Sequence, residues 1–165
     1  MNIPTYHLRP IHSFDQIVLQ KYRPLVICDI DETLLYCKKT QIPSYNCLSL
    51  LTKDHIDDIL PTDMNGFLRM KQRISSLNGK LVFLTARSIR YSKYLKVDFE
   101  QIGLEYENFE VHYTGNRISK GRYMNLFIDN TGFGEIIFID DLIENHDSMH
   151  NYFPSINKYL FQCQV

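Results

Sequence analysis

The chain has few cysteines, no long apolar run and almost no net charge, and each shortage removes a class of protein. Cys28, Cys37, Cys47 and Cys163 are scattered without CxxC spacing. Neither a disulfide frame nor a cysteine zinc site is expected, and the thiols read as reduced ones in a cytosolic protein. No apolar stretch approaches the roughly 18 residues that span a bilayer, and the opening MNIPTYHLRPIHSFDQ lacks the basic-then-apolar layout of a signal peptide. A formal net charge of −1 gives no overall field to steer a polyanion, so a nucleic-acid role would need a local patch. Repeats, linkers and low-complexity tracts are missing too. These absences leave a soluble cytoplasmic protein, and 165 residues suit a single domain, 1–165, around one core. With 44% hydrophobic and 22% charged residues, disorder is not expected.

What is present is alternation. PLVICD, KLVFLTAR and EIIFIDD are short and apolar on both faces, as central parallel strands are, and NFEVHYTG is a weaker example. Helix-period segments lie between them. Phe67, Met70, Ile74 and Leu77 share one helical face, with Asn78-Gly79 as a stop. Tyr91, Leu95, Phe99 and Ile102 form a second stripe closed by Gly103. ISKGRYMNLFIDN predicts a third helix with Ser119 as its N-cap, and HSFDQIVLQKY reads as a short helix ahead of the first strand. The abundant Tyr and Phe fall at helical spacing and are assigned mostly to the core. Strand alternating with helix implies an α/β fold, a parallel sheet with helices on both faces. Such sheets bind ligands beyond the carboxyl ends of their strands, near the topological switch point.

Those ends carry polar chemistry. The first strand runs out in Asp29 and Asp31, the second in Thr85, the fourth in Asp140 and Asp141. Carboxylates as near as Asp29 and Asp31 repel, and desolvating either is costly, so a compensating charge is expected. Taken together, DIDETL, LTAR, the lysine of ISKGR and IDDLIEN resemble, in this order, the motifs of the haloacid dehalogenase (HAD) superfamily. Within it they resemble the DxDxT phosphatases, over Leu25 to about Asn145.

The resemblance implies a three-layer Rossmann-like fold with a central parallel sheet, and hydrolysis of phosphate monoesters through an aspartyl-phosphate. Asp29 would be the nucleophile. The Asp31 side chain would protonate the leaving oxygen and then activate water. Thr85 would donate its hydroxyl to a phosphoryl oxygen, and Lys120 would balance the charge of Asp29 and the phosphoryl group. Mg²⁺ is the expected cofactor, bound by Asp29, the backbone carbonyl of Asp31 and Asp141, with Asp140 binding through water or orienting Lys120. That cation would supply the compensation the acids need. Asn145 stands where many relatives carry another acid and brings no charge. Substrate contact falls to Thr85 and Lys120, joined by Arg87 and Arg117. Arg87 and Arg90 either meet an anionic substrate or are solvated. Arg117, with Arg122 in HYTGNRISKGRY, either grips a second phosphate or a nucleic-acid backbone or belongs to a solvated loop. His112, His146 and His150 read as surface or packing residues, with no helical histidine pair counted among them.

Members of the superfamily insert caps just after the first motif or before the motif lysine. Residues 34–65 suffice for a flap and a helix, and Tyr113 to Lys120 for a turn, so no large cap domain is expected. An open site suits a phosphorylated macromolecule, a phosphoprotein or a nucleic-acid end. Lys38 and Lys39 in the flap would then join Arg117 and Arg122 as contacts. Otherwise the site borrows a lid from another subunit. The alternative is a non-catalytic HAD-like scaffold binding a partner or a phosphorylated ligand, although a scaffold has no need of repelling carboxylates.

Overall fold

A computed structural model describes residues 6–37 and 59–164. In chain order its strands are β1 (Arg9–Ile11), β2 (Pro24–Cys28), β3 (Leu35–Cys37), β4 (Ile59–Pro61), β5 (Lys80–Thr85), β6 (Glu110–Tyr113), β7 (Glu135–Asp140) and β8 (Asn157–Phe161). Its α-helices are α1 (Met64–Ser76), α2 (Ser92–Gln101), α3 (Lys120–Phe127) and α4 (Ile143–Tyr152). Six strands form one parallel sheet in the order β1-β8-β7-β2-β5-β6. A separate antiparallel pair, β3 with β4, follows the first motif. Residues 38–58, which hold most of the anticipated flap, lie outside the described residues.

Every residue of β2 is buried, and the strand's period of two divides the core. Leu25 and Ile27 pack with Val82, Leu84 and Phe138 against Met124, Ile128 and Met149, the side of α3 and α4. Val26 and Cys28 face the other way, toward Phe67, Met70, Ile74, Leu95 and Phe99 of α1 and α2. Three layers result. Phe83 anchors the α1–α2 side, with ring centroids 5.4 Å from Phe99 and 5.3 Å from Phe109. The chain winds outward through α1 and α2 on one face, then returns past β2 and winds outward again through α3 and α4 on the other. Right-handed crossovers demand that change of face when the direction reverses. The reversal puts the switch point between β2 and β7.

The helix ends follow their local chemistry. Asp63 caps α1 by accepting from Gly66 N at 3.0 Å, and its second oxygen takes Ser13 Oγ at 2.6 Å and Phe14 N at 3.0 Å. Asn78 and Gly103, with φ of 52° and 82°, terminate α1 and α2 in the left-handed region. Ser119 caps α3, its hydroxyl accepting from Arg122 N.

Three parts of the pattern differ from expectation. HSFDQIVLQKY yields a single 3-10 turn, Phe14–Gln16, and then runs without helix to β2. Tertiary acceptors claim its amides: Glu135 Oε1 takes Gln20 N and Lys21 N at 2.6 and 2.8 Å, and Tyr159 Oη takes Val18 N at 3.2 Å. β1 and β8 add an edge to the sheet that no apolar run announced. Between β7 and β8 stands α4, which the sequence reading also left out.

Gly121 sets how closely α3 approaches α4. Its N–H donates to Ser148 Oγ at 2.9 Å, and a Cβ there would lie 2.2 Å from the Ser148 carbonyl oxygen. Gly121→Ala is therefore expected to lower unfolding free energy by about 1–3 kcal/mol, the usual range for overpacking. Urea unfolding would measure it, and an unchanged midpoint would contradict this account of the helix contact.

Candidate active site

The carboxyl ends of β2, β5 and β7 converge on one edge of the sheet. The Asp29 N–H donates to Ile139 O at 2.9 Å, which carries the sheet pairing one residue past β2. The chain then coils back on itself. Ile30 O accepts from the amides of Thr33, Leu34 and Leu35 at 3.4, 2.8 and 3.1 Å, and Glu32 takes a φ of 58°. This turn presents Asp29 and Asp31 together. Thr33, the last residue of the DIDET motif, is fully buried and donates its hydroxyl to Asp29 Oδ2 at 3.3 Å.

Lys120 enters from the start of α3. Its ammonium, buried with the rest of the residue, donates to Asp29 Oδ1 and to Asp140 Oδ2, the latter at 2.6 Å. Burial works against the charged amine, but Asp140 and Asp29 hold its pKa above the ordinary lysine range. Asp140 has no exposed surface and is fully engaged. Its Oδ1 accepts from Leu142 N and Asn145 Nδ2, both at 2.9 Å, and its carbonyl pairs with His146 Nε2 at 3.0 Å. Burial raises the pKa of Asp29, and Asp140 and Asp31 add to the rise while Lys120 opposes it. Asp141 is raised in the same sense, by burial first and then by Asp29 and Asp140.

A second cation sits on the β5 side. Arg87 is 3% exposed. Its Nε and Nη2 donate to the two oxygens of Asp31 at 2.9 and 2.6 Å, and its Nη1 donates to Asp98 Oδ2 of α2 at 2.6 Å. Burial opposes this charge too, and the two carboxylates keep its pKa above the usual guanidinium value. The Thr85 hydroxyl accepts from Arg87 N at 3.1 Å, which leaves its own proton free to donate.

The arrangement thus brings together Asp29, Asp31, Thr85, Arg87, Lys120, Asp140 and Asp141. Arg117, on the loop after β6, and Arg90, in the 3-10 turn Ile89–Tyr91 after β5, have exposed side chains. Arg87 is not solvated, because two carboxylates enclose it. Lys38 and Lys39 lie outside the described residues. The Asn145 amide, at the place where many relatives carry an acid, donates to Asp140. His146 and His150 stand four apart on α4, a helical pair that the sequence reading passed over. His146 is buried against the sheet and His150 stacks on Tyr6 with ring centroids 4.4 Å apart. Sequence reasoning also missed the parts played by Thr33 and Asp98. Asp98 had a signal, since it lies on the apolar stripe of α2 between Leu95 and Phe99, where an acid needs a partner.

Carboxylate oxygens of Asp29, Asp140 and Asp141 all lie within 4.8 Å of one another. An all-oxygen, anionic donor set of this kind fits a hard divalent cation. Asp140 is already committed to Lys120 and Asn145, so Asp29 and Asp141 have the freer lone pairs.

No family model matches the chain, and no curated protein matches it. The fold is similar to that of the HAD domain of effector protein Lem4 from Legionella pneumophila, solved as an inactive mutant. The two share 15% identity with a TM-score of 0.55, and the match covers 87% of each chain. At that identity the likeness is one of fold. No helix among the described residues is long and apolar enough to cross a membrane.

If the acid cluster holds a divalent cation, adding one raises the melting temperature by mass action. Asp141→Asn should remove that increment while leaving the metal-free protein as stable or more so, because one repelling carboxylate is gone. A thermal melt with and without cation checks both signs. An increment that survives in the variant would take Asp141 out of the ligand set.

Proposed function

We propose that the chain is a Mg²⁺-dependent phosphomonoester hydrolase of the DxDxT type, working through an aspartyl-phosphate on Asp29. The supporting observation is the bridge that Lys120 makes between Asp29 and Asp140 at the switch point of the sheet, with Asp31 beside it. Such a bridge opposes the protonation that burial favours in a buried nucleophile. Among the described residues only Thr33 holds Asp29 Oδ2, through a 3.3 Å bond, so it is the oxygen with more freedom to attack.

In the first step Asp29 attacks phosphorus, the ester P–O bond breaks, and Asp31 gives a proton to the departing oxygen. In the second, water attacks the phosphoryl group and yields its proton to Asp31. The bond to Asp29 then breaks and inorganic phosphate leaves. Thr85 and Lys120 offer donors to phosphoryl oxygens throughout. Asp29, Asp141 and the Asp31 carbonyl would hold Mg²⁺, which would neutralise the incoming phosphate and offset the repulsion among the acids.

The reading extends to substrate and place. Residues 34–65 are too few for an independent cap domain, so we assign the site a capless form and a macromolecular phosphate, on a protein or a nucleic-acid end. Binding energy that a cap would supply must then come from the rest of the substrate. Cys28 and Cys163 are free thiols, in keeping with a cytoplasmic enzyme.

Turnover of a generic aryl phosphate should require Mg²⁺ and cease with EDTA; full activity in metal-free buffer would sink the reading. Asp29→Asn and Asp31→Asn are expected to fail differently. Asn at 29 has no attacking oxygen and forms no phosphoenzyme. Asn at 31 loses acid–base help worth roughly 10²–10⁴ in rate, yet still accepts phosphate from an activated ester and then stalls. Intact mass after mixing with a reactive aryl phosphate distinguishes them, and equal phosphoenzyme signals would contradict the assignment.

A further inference from the structure

We infer that Arg87, braced by Asp98 of α2, is the positioning residue that fixes the Asp31 carboxyl for proton transfer. The inference rests on the acid–base role given to Asp31 above.

The geometry fixes Arg87 from every side. Its main chain is held at both ends, by Thr85 Oγ1 on its N–H at 3.1 Å and by Gly115 N on its carbonyl at 3.1 Å. The guanidinium is then aimed by Asp98, whose side chain is 4% exposed. From that anchor the fork meets both oxygens of Asp31 at 2.9 and 2.6 Å. Two parallel bonds to a carboxylate set its plane as well as its position, which a point charge does not do. Each Asp31 oxygen keeps a lone pair for a proton.

A structural ion pair tying α2 to the loop after β5 is complete with Arg87 and Asp98 alone. The two further bonds reach past that pair to a carboxyl whose side chain is 16% exposed, at the mouth of the site. Asp98 makes sense on the same account. It occupies the buried face of α2, where an unpaired acid would be costly, and the cation it neutralises is the one that holds Asp31. A carboxyl free to swing about its side-chain torsions would spend much of its time away from the leaving oxygen, and a misplacement near 1 Å costs on the order of 10² in rate.

The test compares two phosphate monoesters, an aryl ester with a good leaving group and an alkyl ester with a poor one, in the presence of Mg²⁺. The proteins are the full chain and its Arg87→Lys, Asp98→Asn, Asp31→Asn and Asp31→Asn/Arg87→Lys variants. A poor leaving group needs the proton and a good one does not. Arg87→Lys should therefore lower kcat/KM on the alkyl ester on the order of 10²-fold and on the aryl ester by a far smaller factor. Asp98→Asn should show the same split with smaller losses. In the Asp31→Asn background, Arg87→Lys should add nothing on the alkyl ester, since the group it positions is already disabled. Equal losses on both esters would mark Arg87 as a phosphate ligand or a purely structural residue and overturn the proposal. Losses that multiply with those of Asp31→Asn would overturn it too. If Arg87→Lys melts below the assay temperature, Asp98→Asn carries the same comparison, because it keeps the side-chain shape and a neutral acceptor. A wild-type chain with no turnover would remove the proposed function and this inference with it; wild-type turnover without the leaving-group split removes this inference alone.

Discussion

Lys120 lies between Asp29 and Asp140 with its ammonium buried, and the carboxyl edge of the sheet is organised around that contact. Two unit charges 4 Å apart interact by about 4 kcal/mol at an effective dielectric of 20. A buried pair of like carboxylates would therefore weaken the fold or take up a proton. With the ammonium between them, each carboxylate gains an attractive partner at hydrogen-bond distance. The contact requires α3 to begin at one particular place. Ser119 caps the helix there, and Gly121 lets its first turn rest on the Ser148 backbone. Removing the Cβ at 121 is thus linked to where the charge at 120 arrives.

The edge repeats one device with two different cations. Lys120 joins Asp29 to Asp140, and Arg87 joins Asp31 to Asp98. The choice of cation follows the geometry. Asp29 and Asp140 end neighbouring strands and converge on a point, which suits a compact ammonium. Asp31 and Asp98 take separate edges of one guanidinium, Nε with Nη2 and Nη1, which suits a planar fork. Adding Asp141, five carboxylates meet two cations, a formal excess of three negative charges. Burial first, and the neighbouring carboxylates after it, raise the pKa values of Asp29 and Asp141, and the surplus is the electrostatic opening for a bound cation.

Much of the fold was legible because its signals are local. β2, β5 and β7 are apolar on both faces, as strands covered on both sides by helices must be. The stripes of α1 and α2 and their Asn78 and Gly103 stops follow from helical period and left-handed backbone. Local signals failed where a distant partner decides. HSFDQIVLQKY has helix-like spacing, yet Glu135 and Tyr159, far away in sequence, claim the amides a helix would use. β1 is three residues at a sheet edge, too short for a period to register.

The candidate site divides in the same way. The residue types and their order along the chain set out the acids at the strand ends, the threonine that closes β5 and the lysine opening α3. Those follow from strand and helix boundaries, which neighbours in sequence control. Which acid pairs with which cation was a matter for tertiary structure. Arg87 read equally as a substrate contact or a solvated loop residue, and what resolved it was Asp98, eleven residues on, turning inward on α2. Likewise Asn145 became a donor to Asp140 only when α4 packed beside β7. Charge pairing depends on distances of a few ångströms between separate elements, and a linear sequence specifies such distances only through the packing of the whole core.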